Sequence, residues 1–464
     1  MPSPENPDIP PFTVPDRTAV LNLAAEYAQR YLEEVNQRPV TPNTDAVAAL
    51  DTLTDALPDQ PTSPEDVVRL LAESAGPATV ANNGGRYFGF VNGGTLPAAM
   101  GAAWLVAAWD QNAAFQVQSP AAIALESTAL EWVKDLLGLP AGCGGAVVTG
   151  ATMANFSALA AARHALLERA GWDLERDGLF GAPPVRVVVS DEVHASLLKA
   201  LALLGFGRER VIRVPVDDQG RMKADAVPAL DKNTILCLQA GNVNTGAFDP
   251  ADKICAKART AGAWVHVDGA FGLWATVSPL LRPLTAGFDL ADSWATDGHK
   301  WPNIGYDCGI AVVRQPETLQ AAMAISASYL AQGAQREPSN YNPELSRRAR
   351  GVELWAGLRS LGRAGLAELV ERTVRHAEHF AAGLRAAGYH VLNEVVLNQV
   401  LVSFGSVEKT LRTIERIQQQ GVCWCGSTVW KGRTAMRISV SNWSTTETDV
   451  EMSLRAMLAA AEES

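Results

Sequence analysis

Seven short runs rich in β-branched and other apolar residues, most of them separated by helical stretches, constrain this chain more than any other feature. The runs span residues 146–149, 185–190, 211–214, 234–239, 264–267, 293–296 and 309–314. This alternation of strand and helix predicts a doubly wound α/β domain around a parallel sheet. Ligands of such sheets bind outside the carboxyl ends of the strands, so the residues that follow each run are the first candidates for function.

The flanking sequence predicts two further regions. Residues 1–85 contain amphipathic helical stretches without a catalytic motif, and residues 346–464 combine one or two long helices with short strands. We therefore predict an N-terminal helical segment, a large α/β domain over residues 86–345 and a small C-terminal α+β domain. A chain of 464 residues is long enough to form such separate units.

Charge and composition argue against several classes of protein. The formal net charge of -11 disfavours nucleic-acid binding, which needs a basic face. No apolar run approaches the roughly 20 residues that span a bilayer, and the N-terminus lacks the basic start and apolar centre of a signal peptide. We expect a cytoplasmic protein without a membrane or nucleic-acid partner. The six scattered cysteines predict buried thiols rather than disulfides, and no Cys/His set completes a metal site.

Polar or charged groups follow five of the seven runs. In chain order they are the small-residue turn 149–152 before a helix, His194, the turn 242–246, Asp268, and the pair His299 and Lys300. Each alone has an ordinary explanation as a helix cap, a turn or a satisfied polar side chain. Together they offer an anion cradle, an imidazole, amides, a carboxylate and an amine at one edge of the predicted sheet.

This set of groups meets the chemical needs of pyridoxal phosphate. An amine forms a Schiff base with the aldehyde, a carboxylate keeps the pyridine nitrogen protonated, and N–H groups at a helix start bind the phosphate. The sequence therefore predicts a pyridoxal phosphate site. It has neither a Walker lysine nor a GxGxxG motif, so a nucleotide site is unsupported.

Six segments match a known family in order. They are GGAVVTGATMANFSALAAAR (144–163), SDEVHASLLKAL (190–201), AGNVNTGAFDP (240–250), HVDGAFG (266–272), DSWATDGHKW (292–301) and RISVSNWSTTETDV (437–450). With them the chain resembles the pyridoxal-phosphate-dependent decarboxylases of the group that includes glutamate and aromatic-L-amino-acid decarboxylases. The resemblance implies fold type I, the fold of aspartate aminotransferase.

The resemblance also implies roles at the cofactor ring. Lys300 would be the Schiff-base lysine, and Asp268 would pair with the pyridine nitrogen. His194 would stack on one face of the ring, and Ala270 would pack on the other. Lys300, Asp268 and His194 are thus expected to serve both cofactor binding and catalysis.

On the phosphate side, the resemblance points to Ala151, Thr152 and His299. Arg437 matches an arginine that faces the substrate carboxylate in some relatives, although a buried structural ion pair is an equal alternative. Asp297 departs from the family, in which many relatives have an Asn that touches the phosphate. A carboxylate would repel the phosphate unless it turned toward backbone donors, so we do not assign Asp297 to phosphate binding.

A flexible lid in the family carries a tyrosine that returns a proton after carbon dioxide leaves. The matching region is residues 328–350, in which Tyr341 is the first candidate and Tyr329 the second. The stretch from Tyr341 to Arg347 is shorter than in the well-known decarboxylases. Tyrosine suits the task because it can give and retake a proton at a closed site.

The resemblance predicts decarboxylation of an L-amino acid, aromatic or acidic, to the amine and carbon dioxide. The same Lys, Asp and His set would serve an aminotransferase, an aldehyde synthase or a carbon–carbon lyase, because the cofactor carries the chemistry. A cofactor-binding protein without turnover is a third hypothesis, which the presence of Lys300 and Asp268 disfavours.

The substrate and the assembly are less defined by the sequence. Four aromatic residues could line an aromatic pocket or pack the core: Tyr87, Phe88, Trp274 and Trp301. Arg86 and Arg437 leave an acidic substrate open. Relatives of this fold are usually homodimers, so the resemblance leads us to expect a homodimer.

Overall fold

In the computed structural model, which describes residues 16–324 and 336–464, seven strands form one sheet. They are β1 (Gly144–Val148), β2 (Arg186–Ser190), β3 (Ile212–Val214), β4 (Thr234–Gln239), β5 (Trp264–Asp268), β6 (Ser293–Asp297) and β7 (Gly309–Val313). Their order across the sheet is β1-β7-β6-β5-β4-β2-β3. Strands β3, β2, β4, β5 and β6 pair in parallel, so the sheet is mainly parallel, as predicted.

Strand β7 runs antiparallel to both of its neighbours, β6 and β1. The sheet therefore differs at this strand from a fully parallel one. Residues 298–308 connect β6 to β7 and contain no helix. A parallel return needs a crossover of a dozen or more residues, usually through a helix. The short connection therefore turns the chain back beside β6, and it carries His299 and Lys300 at the carboxyl end of that strand.

The described part of the chain contains thirteen α-helices. They are α1 (Arg17–Glu34), α2 (Thr44–Ala48), α3 (Pro64–Leu70), α4 (Pro97–Trp109), α5 (Pro120–Leu136), α6 (Ala151–Arg169), α7 (Leu174–Asp177), α8 (Ala195–Leu203), α9 (Ala251–Ala261), α10 (Pro316–Met323), α11 (Arg350–Ala386), α12 (Val407–Gln420) and α13 (Glu447–Glu462). The predicted long helix at residues 350–388 is one run interrupted at Gly362, which has a φ of 60°.

Both faces of the seven-stranded sheet are buried, as a doubly wound arrangement requires. Helices α6, α8 and α10 cover the face on which Trp264 lies. The apolar side chains of the other face, such as Val265 and Val267, join a cluster that includes residues of α5, α9 and α11. Alternate residues of β5 therefore face different layers, and Trp264, His266 and Asp268 share the layer of α6.

The C-terminal part of the chain contains a second, antiparallel sheet. Its strands are β8 (His390–Val391), β9 (Gln399–Ser403), β10 (Gly426–Trp430) and β11 (Arg433–Ser439), in the order β10-β11-β9-β8. Strand β10 was not predicted, because it is an edge strand whose residues are mostly half-buried or exposed and show no apolar run. The domain limits at residues 85 and 345 remain a prediction.

Asn303 connects three parts of the fold at one buried point. Its Oδ1 accepts the N–H groups of Gly94 (2.6 Å) and Trp443 (3.0 Å). Its Nδ2 donates to the carbonyls of Trp301 (2.6 Å) and Ser441 (2.9 Å). These bonds fix the segment after Lys300 to the Gly-rich loop of residues 82–95 and to the C-terminal unit. Within the described ranges, no helix has both the length and the apolar character needed to cross a bilayer.

Candidate active site

Two buried carboxylates lie at the carboxyl ends of neighbouring parallel strands. Asp268 ends β5 and is 5% exposed, and Asp297 ends β6 and is 1% exposed. Lys300 follows Asp297 by three residues, so its amine returns to the same edge of the sheet. The start of α6 comes directly after β1 at this edge as well. The position agrees with the rule for ligand sites of open α/β sheets.

Asp268 has one side-chain donor and one backbone donor among the described residues. Asn155 Nδ2 donates to its Oδ2 over 3.2 Å, and the Ala270 N–H donates to its Oδ1 over 3.3 Å. Burial raises the pKa of Asp268, while the neighbouring His194 and Lys300 and the bond from Asn155 lower it. A cationic N–H group beside this carboxylate would offset the cost of burying its negative charge. A pyridinium nitrogen is such a group, and it needs a carboxylate beside it to stay protonated.

Lys300 and Asp297 form an ion pair at this edge. Lys300 Nζ lies 2.9 Å from Asp297 Oδ2, and the other carboxylate oxygen accepts the Ala151 N–H over 2.5 Å. Asp297 thus turns toward a backbone donor. Such a turn is what we expected if a carboxylate is to be tolerated beside a phosphate. That donor belongs to the helix start that the sequence assigns to the phosphate.

The helix start, Asp297 and His299 pack closely together. A Cβ atom at Gly150 would lie 3.1 Å from His299 Cε1, so the glycine leaves room for the imidazole. His299 Nδ1 accepts the Cys308 N–H over 3.2 Å, which assigns the ring proton to Nε2, 3.5 Å from Asp297 Oδ1. Burial lowers the pKa of His299. Thr152, half-buried, follows in the first turn of α6.

His194 lies within electrostatic range of the same groups. It caps the start of α8, where its Nδ1 accepts the Ser196 N–H over 3.2 Å. Burial lowers the pKa of His194, with Lys300 and Arg437 adding to this effect and Asp268 opposing it. These surroundings favour the uncharged form of the imidazole, which suits a ring that stacks on a cationic cofactor. Stacking itself remains a prediction.

Arg437 reaches this cluster from the second sheet. It lies on β11, and its Nη1 donates to the Val243 carbonyl over 3.4 Å. Among the described residues no carboxylate lies within 4.0 Å of its guanidinium, and burial lowers the pKa of this guanidinium. The alternative of a buried ion pair thus has no partner in this part of the chain.

Tyr341 lies in a different environment. The guanidinium carbon of Arg336 is 4.6 Å from its ring centroid, and the ring packs against a cluster formed by β1, β7, α6 and neighbouring residues. None of these partners is Lys300, Asp268 or His194, so the role of Tyr341 as a proton donor remains a prediction. Tyr329 lies outside the described residues.

Most of the residues considered for a substrate pocket pack the interior instead. Phe88, Trp274 and Trp301 are each 0% exposed, and Tyr87 stacks on Trp424 with 5.0 Å between ring centroids. Arg86 donates to the backbone carbonyls of Val422 and Asn36. These five side chains have structural partners. Of the six residues considered for a substrate pocket, Arg437 remains the candidate for contact with a substrate.

The sequence reasoning missed two contributors to this site. Asn155 follows Ala151 by one helical turn, so the spacing alone would have put it on the same face of α6. The second contributor is the Gly-rich segment of residues 82–95, whose sequence fits a surface loop as well as a substrate-side wall. A Cβ atom at Gly93 would lie 2.1 Å from the Lys300 carbonyl oxygen, so the segment supports the backbone of Lys300.

The donor set fits pyridoxal phosphate and gives no support for a metal ion. The described residues include no group of three or more His, Cys, Asp or Glu side chains arranged to hold a metal. All six cysteines are buried and free of disulfides, as predicted. An amine, a buried carboxylate, an uncharged imidazole and a helix start are instead the groups that this cofactor needs.

Comparison with known proteins gives a family and a set of relatives. The family model for the pyridoxal-dependent decarboxylase conserved domain matches residues 49–406. Tryptophan decarboxylase 1 of Oryza sativa subsp. japonica is 29% identical over 95% of this chain and 93% of that protein. Aromatic-L-amino-acid decarboxylase of Bacillus atrophaeus is 24% identical, with 93% of both proteins covered. Phenylacetaldehyde synthase of a Rosa hybrid cultivar is 31% identical over 58% of this chain and 56% of that protein.

Solved structures show the same fold. Oryza sativa TDC with PLP and tryptamine matches with a TM-score of 0.88 and 24% identity over 98% of this chain and 99% of that chain. Mouse CSAD matches with a TM-score of 0.87 and 20% identity over 96% and 99%. The predicted fold type I is thereby confirmed.

Proposed function

The chain belongs to the family of pyridoxal-dependent decarboxylases, whose cofactor is pyridoxal phosphate, and from that premise we propose that it decarboxylates an L-amino acid, aromatic or acidic, to the amine and carbon dioxide. The observation that carries this proposal is the convergence of an amine, a buried carboxylate, an uncharged imidazole and a guanidinium. These groups belong to Lys300, Asp268, His194 and Arg437, and the charges of the other three all act on His194. Their convergence disfavours a protein that only stores the cofactor.

The residues of this cluster divide the work of holding the cofactor. Pyridoxal phosphate, when bound, supplies an aldehyde that joins to amines and a pyridinium ring that takes up an electron pair. Lys300 would provide the amine that joins the aldehyde, and Asp268 would pair with the ring nitrogen. Ala151, Thr152 and His299 would bind the phosphate. Gly93, through its contact with the Lys300 backbone, keeps the lysine in place.

The remaining groups act on the substrate. Arg437, which has no carboxylate partner among the described residues, binds a carboxylate of the amino acid through its guanidinium. The bond between the α carbon and the carboxyl group breaks, carbon dioxide leaves, and a proton returns to the α carbon. Tyr341 is the proposed source of that proton. Asp268 is buried and Lys300, His194 and Arg437 are half-buried, so their limited contact with water strengthens the interactions among these groups.

A second reaction is favoured by one of the relatives. Phenylacetaldehyde synthase of the Rosa hybrid matches part of this chain at 31% identity. An aldehyde synthase acting on an amino acid would consume dioxygen and water and release the aldehyde, carbon dioxide, ammonia and hydrogen peroxide. The two reactions share the loss of carbon dioxide and differ in the fate of the α carbon, so the products distinguish them.

The test is a product assay with single amino acids. Purified holoenzyme is incubated with L-tryptophan, L-tyrosine, L-phenylalanine, L-glutamate or L-aspartate, and amine, aldehyde, carbon dioxide and peroxide are measured. We expect amine and carbon dioxide in equal amounts from at least one of them, and neither from Lys300→Ala. Aldehyde with peroxide would support the second reaction. Keto acid without carbon dioxide, or no product from any of the five, would contradict both.

We also propose that the protein is a cytoplasmic homodimer. Support for the dimer comes from the exposed apolar side chains of helices α1 and α4. Leu21 and Leu32 of α1 are 62% and 37% exposed, and Trp104, Leu105 and Trp109 of α4 are 44–51% exposed. A second copy that covered them would remove this apolar surface from water. Sedimentation equilibrium tests the assembly, for which one chain contributes 49.4 kDa.

A further inference from the structure

We propose that Trp264, Ser293, His266 and Asn155 form a one-directional chain of hydrogen bonds that positions the Asp268 carboxylate and favours its ionised form. The inference rests on the proposed function in that Asp268 is taken to pair with the ring nitrogen of the cofactor. Asn155 touches Asp268 directly, and the other three residues act through it. All four are therefore positioning residues.

The contacts form an unbroken series through the interior. Trp264 Nε1 lies 2.9 Å from Ser293 Oγ, which lies 2.9 Å from His266 Nδ1. His266 Nε2 lies 2.8 Å from Asn155 Oδ1, and Asn155 Nδ2 lies 3.2 Å from Asp268 Oδ2. Ser293, His266 and Asn155 are 0% exposed, and Trp264 and Asp268 are 5% exposed. Water therefore has little access to replace any of these bonds.

The sheet and one helix bring these residues together. Trp264, His266 and Asp268 alternate along β5, so their side chains share one face. Ser293 is the direct neighbour of His266 on the parallel strand β6. Asn155 lies on the buried side of α6, which covers this face. The series thus connects the first residue of β5 to the carboxylate at its last residue.

The two ends of the series fix its direction. The Trp264 indole can only donate, and an ionised Asp268 can only accept. Asn155 must present its Nδ2 to the carboxylate, so its Oδ1 faces His266 and requires the ring proton on Nε2. His266 Nδ1 then carries a lone pair and accepts from the Ser293 hydroxyl, whose oxygen accepts from Trp264. Each link is satisfied in one arrangement, and the reverse arrangement would place the amide oxygen against the carboxylate.

His266 is suited to this role because it holds a single proton. Burial lowers the pKa of His266 to about 3, so the ring is uncharged at neutral pH and has to choose one tautomer. Hydrogen bonds in a series polarise and strengthen one another. The last bond, from Asn155 to the charged carboxylate, is the strongest kind because its acceptor is ionised. The series thereby opposes the effect of burial, which raises the pKa of Asp268.

The first experiment examines the direction of the series without the cofactor. Cofactor-free protein with ¹⁵N-labelled histidine is studied by long-range ¹H–¹⁵N NMR at pH 7, and His266→Gln identifies the signals of His266. We expect an uncharged ring with its proton on Nε2. A proton on Nδ1, or a cationic ring, would overturn the proposal. This result does not depend on whether the chain decarboxylates anything.

The second experiment measures the effect on cofactor affinity. Apoprotein is titrated with pyridoxal phosphate by visible absorbance for wild type, Asn155→Ala and Ser157→Ala. Ser157 is a matched control, since it is equally buried on α6 and its hydroxyl has no hydrogen-bond partner among the described residues. We expect Asn155→Ala to raise the Kd about tenfold, as loss of a bond to a charged group should, and Ser157→Ala to stay within about twofold.

The outcomes separate the series from the proposed function. A folded Asn155→Ala with the wild-type Kd would refute the series while leaving the cofactor site intact. A wild type that binds no pyridoxal phosphate would instead refute the proposed function, whatever the NMR result. If Asn155→Ala does not fold, Ser293→Ala provides the same test two links further away, with an expected rise of about threefold in Kd. An unchanged Kd for folded Ser293→Ala would then count against the series.

Discussion

Asp297 combines two contacts that bear on cofactor binding. Its carboxylate accepts the Ala151 N–H at the start of α6 and pairs with Lys300 Nζ at 2.9 Å. A phosphate bound at this helix start would compete for the same N–H group and would meet a like charge. The contact with Lys300 works in the other direction, because it holds the amine at the site. At the proposed phosphate site, Asp297 would thus weaken phosphate binding while it holds the amine of Lys300 in place.

This balance predicts the behaviour of Asp297→Asn. The amide oxygen can still accept the Ala151 N–H, while the negative charge beside the phosphate is removed. We expect the Kd of apoprotein for pyridoxal phosphate to fall about fivefold, which corresponds to about 1 kcal/mol at a partly screened site. Titration followed by visible absorbance measures it. Weaker binding in Asp297→Asn would mean that the charge on Asp297 assists the cofactor, and Asp297→Ala separates the charge from the hydrogen bond.

At the scale of elements, the start of α6 is held in place by a close backbone contact with β7. Gly309 pairs with Val148 of β1 on one side and with Asp297 of β6 on the other. A Cβ atom on Gly309 would lie 2.4 Å from Cα and C of Gly150. The strand that returns antiparallel thus lets the turn before α6 cross it closely. The position of the helix start that we propose as the phosphate site depends on this contact.

We therefore predict that Gly309→Ala displaces the cradle. Gly150 and the first turn of α6 would have to move, at a cost of about 1–3 kcal/mol in the free energy of unfolding. The Kd for pyridoxal phosphate should rise by about tenfold or more, because Ala151 and His299 would no longer converge. Absorbance titration and thermal unfolding measure the two effects.

A matched control for this variant lies on α11. A Cβ atom at Gly365 would meet only the Leu361 side chain, at an ordinary contact distance of 3.7 Å. Gly365→Ala should leave the Kd unchanged and should stabilise the protein by about 0.5–1 kcal/mol, since alanine favours the helix. If both variants behaved alike, the close approach of β7 to Gly150 would have no influence on the site.

At the scale of the whole molecule, Asn303 links the segment after Lys300 to the Gly-rich loop and to the C-terminal unit. It is 0% exposed, adopts a φ of 57°, and its side chain makes four hydrogen bonds. Asparagine tolerates this left-handed backbone conformation better than most residues. Its donors and acceptors together satisfy backbone groups of segments that are far apart in sequence. No residue without an amide could satisfy all four.

Asn303→Ala should therefore destabilise the whole molecule. Four buried backbone groups would lose a partner, and each unsatisfied group costs about 1–3 kcal/mol. We expect the unfolding temperature, measured by circular dichroism, to fall by several degrees. The control is Asn22→Ala on the exposed surface of α1, which should not lower it. An Asn303→Ala variant as stable as wild type would show that the C-terminal unit is held by other contacts.

The sequence by itself determined the seven strands of the main sheet and the groups at their ends. Periodicity and composition are local properties, so the positions of β4, Asp268 and Lys300 could be read directly. The position of a residue at the end of a parallel strand also indicates which edge of the sheet it occupies. The groups at the strand ends predicted the cofactor and the family resemblance added the fold type, and the comparisons confirmed both. Strand β10 was missed because its half-exposed edge position leaves no apolar run.

Only the tertiary structure decided which distant residues meet. Asn155 contacts Asp268 across 113 positions, and Asn303 contacts Gly94 across 209. Such contacts depend on how helices and sheets pack, and no local pattern encodes them. The same holds for the direction of β7 and for the turn of Asp297 toward Ala151. The sequence placed an acid and an amine at one edge of a sheet. Packing decided which residues position these two groups and influence their charge.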